Sequence, residues 1–143
     1  MPADSHRRLT GPPPARRPTV LVVDDEAPVR TIVLRMLALD PLILLWAGGG
    51  QEAIEVAERH LAPIDLLLTD LKMPRMDGRE LANAMRARYP KLKVLFFSAY
   101  AGDLFGDGEL LPMGIAYLPK PTTSPELREA VHALLAGRPR VLR

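Results

Sequence analysis

Short apolar runs alternate with amphipathic stretches along most of the chain. Val20–Val23 is a wholly apolar run rich in β-branched residues, which is typical of a strand buried on both faces. The same reasoning predicts four further strands, at Leu42–Ala47, Ile64–Thr69, Val94–Phe97 and Ile115–Leu118. The pattern therefore predicts five strands separated by longer segments.

The longer segments carry apolar residues at helical spacing. The first helix is predicted with Pro28 in its first turn, and Gln51–His60 and Arg79–Tyr89 are predicted as the next two helices. A last helix is predicted with Ser124 as its cap, Pro125 at its first position and Gly137 at its end. Its apolar stripe consists of Leu127, Ala130, Val131, Leu134 and Leu135.

Alternation requires one more helix, the fourth of five, within Ala101–Met113. Three glycines in this segment, Gly102, Gly106 and Gly108, each cost about 1 kcal/mol relative to alanine in a helix. We therefore expect this helix to be short or frayed, and the least stable element of the fold.

Five β/α units predict an α/β fold with a parallel sheet and helices on both of its faces. Sites in such folds lie at the carboxyl ends of the strands, beside the point where strand order reverses. Polar residues follow four of the five strands at those ends, namely Asp24 and Asp25, then Asp70, then Ser98, and then Lys120.

If the first and third strands are neighbours, three carboxylates meet at one edge of the sheet. They repel one another unless a cation compensates, and magnesium prefers oxygen ligands of this kind. Lys120 supplies a compact positive charge and Ser98 a hydroxyl group. Such groups can stabilise a phosphoryl group in transfer to a carboxylate nucleophile.

The composition changes this picture mainly at the two ends. The net charge is +2, but residues 1–19 and 137–143 each carry three net positive charges, so residues 20–136 are acidic. Residues 1–18 are rich in proline and arginine and are expected to form a disordered tail, and residues 137–143 a second, basic tail. No helix carries a basic recognition face, so nucleic-acid binding should be nonspecific.

The chain contains no cysteine, which excludes disulfides and thiolate chemistry. Its longest apolar runs are too short to span a bilayer, so no membrane insertion is expected. The N-terminus also lacks the apolar region of a secretory signal. These features favour a cytoplasmic protein.

Four sequence stretches together resemble a response-regulator receiver domain of two-component signalling. They are Val22–Glu26, Leu68–Gly78, Phe97–Ala99 and Lys120–Pro121. The resemblance covers residues 19–136 and implies a flavodoxin-like, doubly wound sheet with strand order 2-1-3-4-5. It implies no separate enzymatic activity beyond the domain's own phosphoryl transfer and autodephosphorylation.

The resemblance also implies a role for each site residue. Asp70 is the implied phosphoacceptor, and Ser98 and Lys120 the residues that contact the phosphoryl group. The implied ligands of Mg²⁺ (or Mn²⁺) are Asp25 directly, Asp24 mainly through water, Asp70, and the backbone carbonyl of Lys72. Ser98 and Tyr117 are the implied switch pair, and the Lys120–Pro121 bond is expected to be cis.

The implied phosphodonor is a histidine kinase or a histidine phosphotransfer protein, and the downstream target is unknown. Ser98–Leu118 is similar to receivers attached to hybrid histidine kinases, whereas Thr122 stands where many relatives have phenylalanine. His6, His60 and His132 are interpreted as structural rather than as phosphodonors.

Two alternative functions stay open. A magnesium-dependent phosphatase that forms an aspartyl phosphate typically has a second acid two residues after its nucleophile, where this chain has Lys72. The domain could also act, unphosphorylated, as an adaptor.

Overall fold

The computed structural model describes residues 16–99 and 113–138. These residues form one five-stranded parallel sheet in the order β2-β1-β3-β4-β5. The strands are β1 (Thr19–Val23), β2 (Ile43–Ala47), β3 (Leu66–Thr69), β4 (Lys93–Ser98) and β5 (Ile115–Pro119). The helices within these ranges are α1 (Ala27–Leu37), α2 (Gly50–Arg59), α3 (Gly78–Arg88) and α4 (Ser124–Leu135). The predicted fold class and strand order are confirmed.

The apolar residues of the strands supply two cores, one on each face of the sheet. β1 is buried along its whole length, as its apolar run predicts. Leu21 packs in the core that includes Leu81 of α3, and Val20 packs in the core that includes Leu127 of α4. Each fully buried leucine contributes about 2 kcal/mol of apolar burial. These two cores fix the strands between helices on both sides.

The strand register brings the predicted site residues to one edge. Val23 of β1 is paired with Thr69 of β3, so the residues that follow them, Asp24 and Asp70, emerge side by side. β4 lies on the other side of β3, and Ser98 at its end is paired with Pro119 of β5. The carboxyl edge of the sheet therefore carries the polar groups, as the sequence predicts.

Three helices begin one residue earlier than the sequence predicts, since α2, α3 and α4 start at Gly50, Gly78 and Ser124. The prediction that Ser124 caps the last helix is wrong, because Thr123 is the N-cap and Ser124 is already helical. Thr123 forms a capping box with Glu126, three residues further on, whereas the residue three after Ser124 is the apolar Leu127. Asp77 forms the same kind of box at the start of α3, with Glu80.

Several predictions fall wholly or partly outside the described residues. The predicted fourth helix at Ala101–Met113 is one of them, since only Met113 is described there. The two predicted tails lie outside as well, apart from residues 16–18 and 137–138. Arg16 already contacts the fold, since its guanidinium donates two hydrogen bonds of 2.8 and 3.0 Å to the Asp65 carboxylate.

None of the helices that the structure describes has both the length and the apolar character needed to cross a bilayer.

Candidate functional site

Three carboxylates converge at the carboxyl edge of the sheet and form what we call the acidic cluster: Asp24, Asp25 and Asp70. Each offers an oxygen within 4.8 Å of the oxygens offered by the other two. Asp24 and Asp70 are only 3% and 9% exposed, whereas Asp25 is exposed to solvent. The cluster therefore has two buried carboxylates and one carboxylate at the protein surface.

Asp24 is held on both its side chain and its backbone. Its Oδ1 accepts a hydrogen bond from the Glu26 amide (2.9 Å), which turns the chain at the end of β1. Its backbone carbonyl accepts a bond from Arg30 Nη1 (2.8 Å), one helical turn into α1. The position of this carboxylate is thus set by the loop after β1 and by α1 together.

Asp70 is held in a similarly defined position at the end of β3. Its Oδ1 accepts a hydrogen bond from the Leu71 amide (2.7 Å), and its carbonyl accepts one from Thr69 Oγ1 (2.9 Å). Gly78 packs so closely on this backbone that a Cβ there would lie 2.0 Å from the Asp70 carbonyl oxygen. The first residue of α3 therefore has to be glycine for the helix to rest against Asp70.

Lys120 brings the compensating cation into the cluster. Its Nζ donates to Asp24 Oδ2 (2.9 Å) and to Asp70 Oδ2 (3.2 Å). Burial lowers the pKa of this ammonium, but the hydrogen bonds and charges of Asp24 and Asp70 outweigh burial and leave the pKa raised. Lys120 therefore stays charged at neutral pH and bridges two of the three carboxylates.

The predicted switch residues are also in contact. Ser98 is fully buried, and its carbonyl accepts a hydrogen bond from the Tyr117 hydroxyl (3.1 Å). The same carbonyl accepts a longer bond from the Lys120 amide (3.3 Å). The Lys120–Pro121 bond is cis, as expected. The end of β4 is thus linked directly to both Tyr117 and the lysine of the acidic cluster.

The donor set of the cluster fits a hard divalent cation. Three carboxylates face one ammonium group, so the cluster carries an excess of negative charge, and all its candidate ligand atoms are oxygens. Magnesium and manganese accept such ligands and retain open positions for water or a phosphate oxygen. The exposure of Asp25 leaves the solvent side of the cluster accessible.

The structure brings together most of the residues singled out from the sequence. Asp24, Asp25, Asp70 and Lys120 share the cluster, and Ser98 joins them through its carbonyl. Lys72 lies two residues after Asp70 and is exposed, and its carbonyl stays a predicted ligand. Sequence reasoning missed Arg30, whose only signal was a position six residues after Asp24.

The comparisons with known proteins identify the family of this fold. Residues 20–132 match the family described as the response regulator receiver domain. This match covers most of the chain, and the chain belongs to that family. It is therefore a receiver domain of the kind found in two-component systems.

Similar proteins place this domain in several settings. The chain is 34% identical over 117 residues to the sensor kinase CckA of Brucella abortus, covering 82% of this chain and 12% of that protein. It is 38% identical over 115 residues to protein-glutamate methylesterase/protein-glutamine glutaminase 1 of Rhodospirillum rubrum, covering 76% of this chain and 28% of the relative. The chain thus spans only a minor part of these relatives.

A solved structure supports the same conclusion. The crystal structure of the receiver domain from the hybrid histidine kinase CckA superposes with a TM-score of 0.69 at 33% identity. The match covers 82% of this chain and 98% of that one. The resemblance of Ser98–Leu118 to hybrid-kinase receivers is in line with this neighbour.

Proposed function

We propose that this receiver domain accepts a phosphoryl group on Asp70. The observation that carries the proposal is the Lys120 ammonium, which bridges Asp24 and Asp70 within an acidic cluster that has more carboxylates than cations. Asp70 is the member of the cluster that both contacts the lysine and follows the central strand β3. Its carboxylate is also fixed by the Leu71 amide, which orients it before any donor arrives.

The reaction is a single transfer. A carboxylate oxygen of Asp70 attacks the phosphorus of a phosphohistidine, the O–P bond forms as the P–N bond breaks, and the imidazole leaves with the electron pair of that bond. Lys120 then has a phosphoryl oxygen as a partner in place of a carboxylate oxygen. Ser98 lies at the end of the neighbouring strand and contacts the phosphoryl group from that side.

The metal expected in the cluster is Mg²⁺ or Mn²⁺. Asp24, Asp25, Asp70 and the Lys72 carbonyl would hold it, with Asp24 acting mainly through water. When bound, the cation supplies charge stabilisation for the phosphoryl oxygens. The acidic side chains also repel an incoming phosphate in the absence of a cation, so transfer should depend on the metal.

The phosphodonor is proposed to be a histidine kinase or a histidine phosphotransfer protein. Similarity to the sensor kinase CckA supports a donor of this class. A phosphatase-type activity is not favoured, because the residue two positions after Asp70 is the exposed Lys72 rather than an acid.

Phosphorylation is proposed to change partner binding through Ser98 and Tyr117. The Tyr117 hydroxyl is bound to the Ser98 carbonyl, so movement of Ser98 toward a phosphoryl group changes the contact that holds the tyrosine. The charge-assisted bond to Ser98 exists only in the phosphorylated state, and it therefore biases a two-state equilibrium.

The test is incubation with acetyl phosphate followed by intact mass measurement. The wild-type chain with Mg²⁺ should gain one phosphoryl group, and Asp70→Asn or chelation of the metal should prevent the gain. Asp65→Asn is the matched control, because Asp65 lies outside the acidic cluster and binds Arg16. A phosphoryl group retained in Asp70→Asn would disprove the assignment.

The same preparation tests the switch by hydrogen exchange with and without beryllofluoride. Exchange in the β4 and β5 segments should change on binding. Identical exchange in both states, with the Asp70 site saturated, would contradict a role for Ser98 and Tyr117.

A further inference from the structure

Arg30 lies in a slot formed by three different parts of the fold. Its Nη1 donates a 2.8 Å hydrogen bond to the backbone carbonyl of Asp24. Its guanidinium carbon lies 4.5 Å from the centroid of the Trp46 ring, in stacking geometry. Nη1 would also lie 3.4 Å from a Cβ at Gly48, so the loop after β2 closes over it.

These contacts connect the edge strand to the acidic cluster. Trp46 lies in β2, is 51% exposed as a residue, and is the only tryptophan of the chain. A tryptophan face attracts a guanidinium and displaces part of the water around it. A guanidinium with less water forms a stronger bond to the Asp24 carbonyl.

The direction of the bond determines what Arg30 can do. It contacts the backbone of Asp24 and not its carboxylate, whose oxygens are already bound by the Glu26 amide and by Lys120. Arg30 therefore does not neutralise the ligand atoms. It fixes the peptide plane between Asp24 and Asp25, and the direction in which both side chains leave the chain depends on that plane.

We propose that Arg30, stacked on Trp46, is a positioning residue for the metal site of the acidic cluster. The inference rests on the proposed metal-dependent function of that cluster. Groups that orient ligands without touching the metal typically change its affinity by 10–100-fold when they are lost. Arg30 acts through a backbone carbonyl, so we expect the weakening to lie near the lower end, about tenfold.

The sign of the effect separates positioning from electrostatics. Arg30 carries a positive charge close to a cation site, so its removal should strengthen metal binding if only its charge mattered. Loss of positioning should weaken metal binding instead. Arg30→Met keeps the length of the side chain and removes both the charge and the hydrogen bond.

The experiment measures binding of Mn²⁺ to the full chain by the electron paramagnetic resonance signal of free Mn²⁺. Arg30→Met should weaken binding about tenfold. Arg35→Met is the matched control, because Arg35 is an exposed arginine in the last turn of the same helix. Its removal changes the net charge equally and should leave binding within about twofold, since exposed charges at a distance are screened.

Two further variants keep the test decisive if Arg30→Met does not fold. Arg30→Lys retains the charge but lacks the planar group that stacks and donates, so it should still bind Mn²⁺ more weakly than wild type. Trp46→Leu leaves the charge of the cluster unchanged and should weaken Mn²⁺ binding by about threefold. Combined with Arg30→Met, it should add little further loss, because both changes remove the same stacked pair. Thermal melting of each variant checks its folding.

The outcomes distinguish the two proposals. If wild type binds no Mn²⁺, or Asp25→Asn binds it as well as wild type, the metal site itself is wrong and the role of Arg30 with it. If wild type binds and Arg30→Met and Arg30→Lys bind equally or more tightly, the positioning role alone is overturned.

Discussion

Two buried aspartates, one at the amino edge and one at the carboxyl edge of the sheet, have very different charged surroundings. Asp40 precedes β2 at the amino edge and is 9% exposed, as is Asp70 at the carboxyl edge. Asp40 accepts hydrogen bonds from Arg128 (Nη2, 2.7 Å; Nε, 3.0 Å) and is bound to His132 Nε2 (3.0 Å). One carboxylate there has two cationic or potentially cationic partners.

The acidic cluster has the opposite balance. Three carboxylates lie together there, and Lys120 pairs with two of them, Asp24 and Asp70. Around Asp40, two side chains of α4, Arg128 and His132, contact one carboxylate. These contacts hold α4 against the loop before β2. Around Asp70 the clustered carboxylates of the described residues outnumber the ammonium group that pairs with them, and such an excess favours a divalent cation. The two aspartates are equally buried, so the local charge balance and not burial distinguishes the proposed phosphoacceptor from Asp40.

The first way to test this contrast is to neutralise Asp40. The pKa of Asp40 is lowered, first of all by the hydrogen bonds from Arg128. Burial opposes this shift, and the His132 hydrogen bond and the charge of Arg128 add to it. Asp40→Asn should lower the melting temperature by about 5 °C at pH 7, because the half-buried Arg128 loses its anionic partner. Acetyl phosphate should still modify the variant, since Asp40 lies outside the cluster. Lost modification in a folded variant would contradict the contrast.

The pH dependence of that difference has a defined sign. A carboxyl group whose pKa is lower in the folded state contributes stability above its unfolded pKa, which is about 3.9. That contribution is lost as the pH falls through the folded pKa. The gap in melting temperature between wild type and Asp40→Asn should therefore be full at pH 7 and should shrink below about pH 4.

Neutralising Asp25 should have a smaller effect of opposite sign. Asp25 adds a third carboxylate to the acidic cluster, where it repels the other two. Without metal, Asp25→Asn should therefore raise the melting temperature by about 2 °C. The variant should also lose the stabilisation that Mg²⁺ gives to wild type. Glu129→Gln, an exposed carboxylate on α4, is the control and should change neither value. A destabilised Asp25→Asn would refute the excess of charge.

The smallest effect is expected near the N-terminus, where Asp65 pairs with the exposed Arg16 and also accepts a hydrogen bond from the Thr19 amide (2.7 Å). Arg16 and Asp65 form an ion pair with side chains that are 49% and 25% exposed, and such pairs contribute little. A chain that starts at Arg16 should melt within about 2 °C of the full chain, and a chain that starts at Pro18 should melt only slightly lower. A large drop for either chain would show that the proposed tail contributes to the domain.

The sequence predicted the fold and the cluster for the same physical reason. Apolar runs such as Val20–Val23 mark buried strands, and the ends of parallel strands meet at one edge, so Asp24 and Asp70 could be placed together without coordinates. The family resemblance then supplied the strand order and the residue roles. Local signals of one or two residues, such as the cap at Thr123 rather than Ser124, were less well determined.

Contacts between distant side chains could not be predicted in this way. Asp40 and His132 are 92 positions apart, and nothing in the spacing of either residue indicates the other. The stacking of Arg30 on Trp46 likewise depends on where β2 lies beside β1 and on how far each side chain reaches. Such contacts follow from the packed structure and not from periodicity.

The close packing of Gly78 also bears on how this domain can be altered. Its amide donates a 2.7 Å hydrogen bond to the Leu71 carbonyl, so the loop from Leu71 to Gly78 is closed at its base by backbone atoms. Two side chains of the loop anchor it as well, since Met73 is buried in the core and Asp77 caps α3. We therefore expect side chains at exposed positions of the loop, such as Lys72, to be exchangeable beside Asp70 while its backbone stays closed at the base.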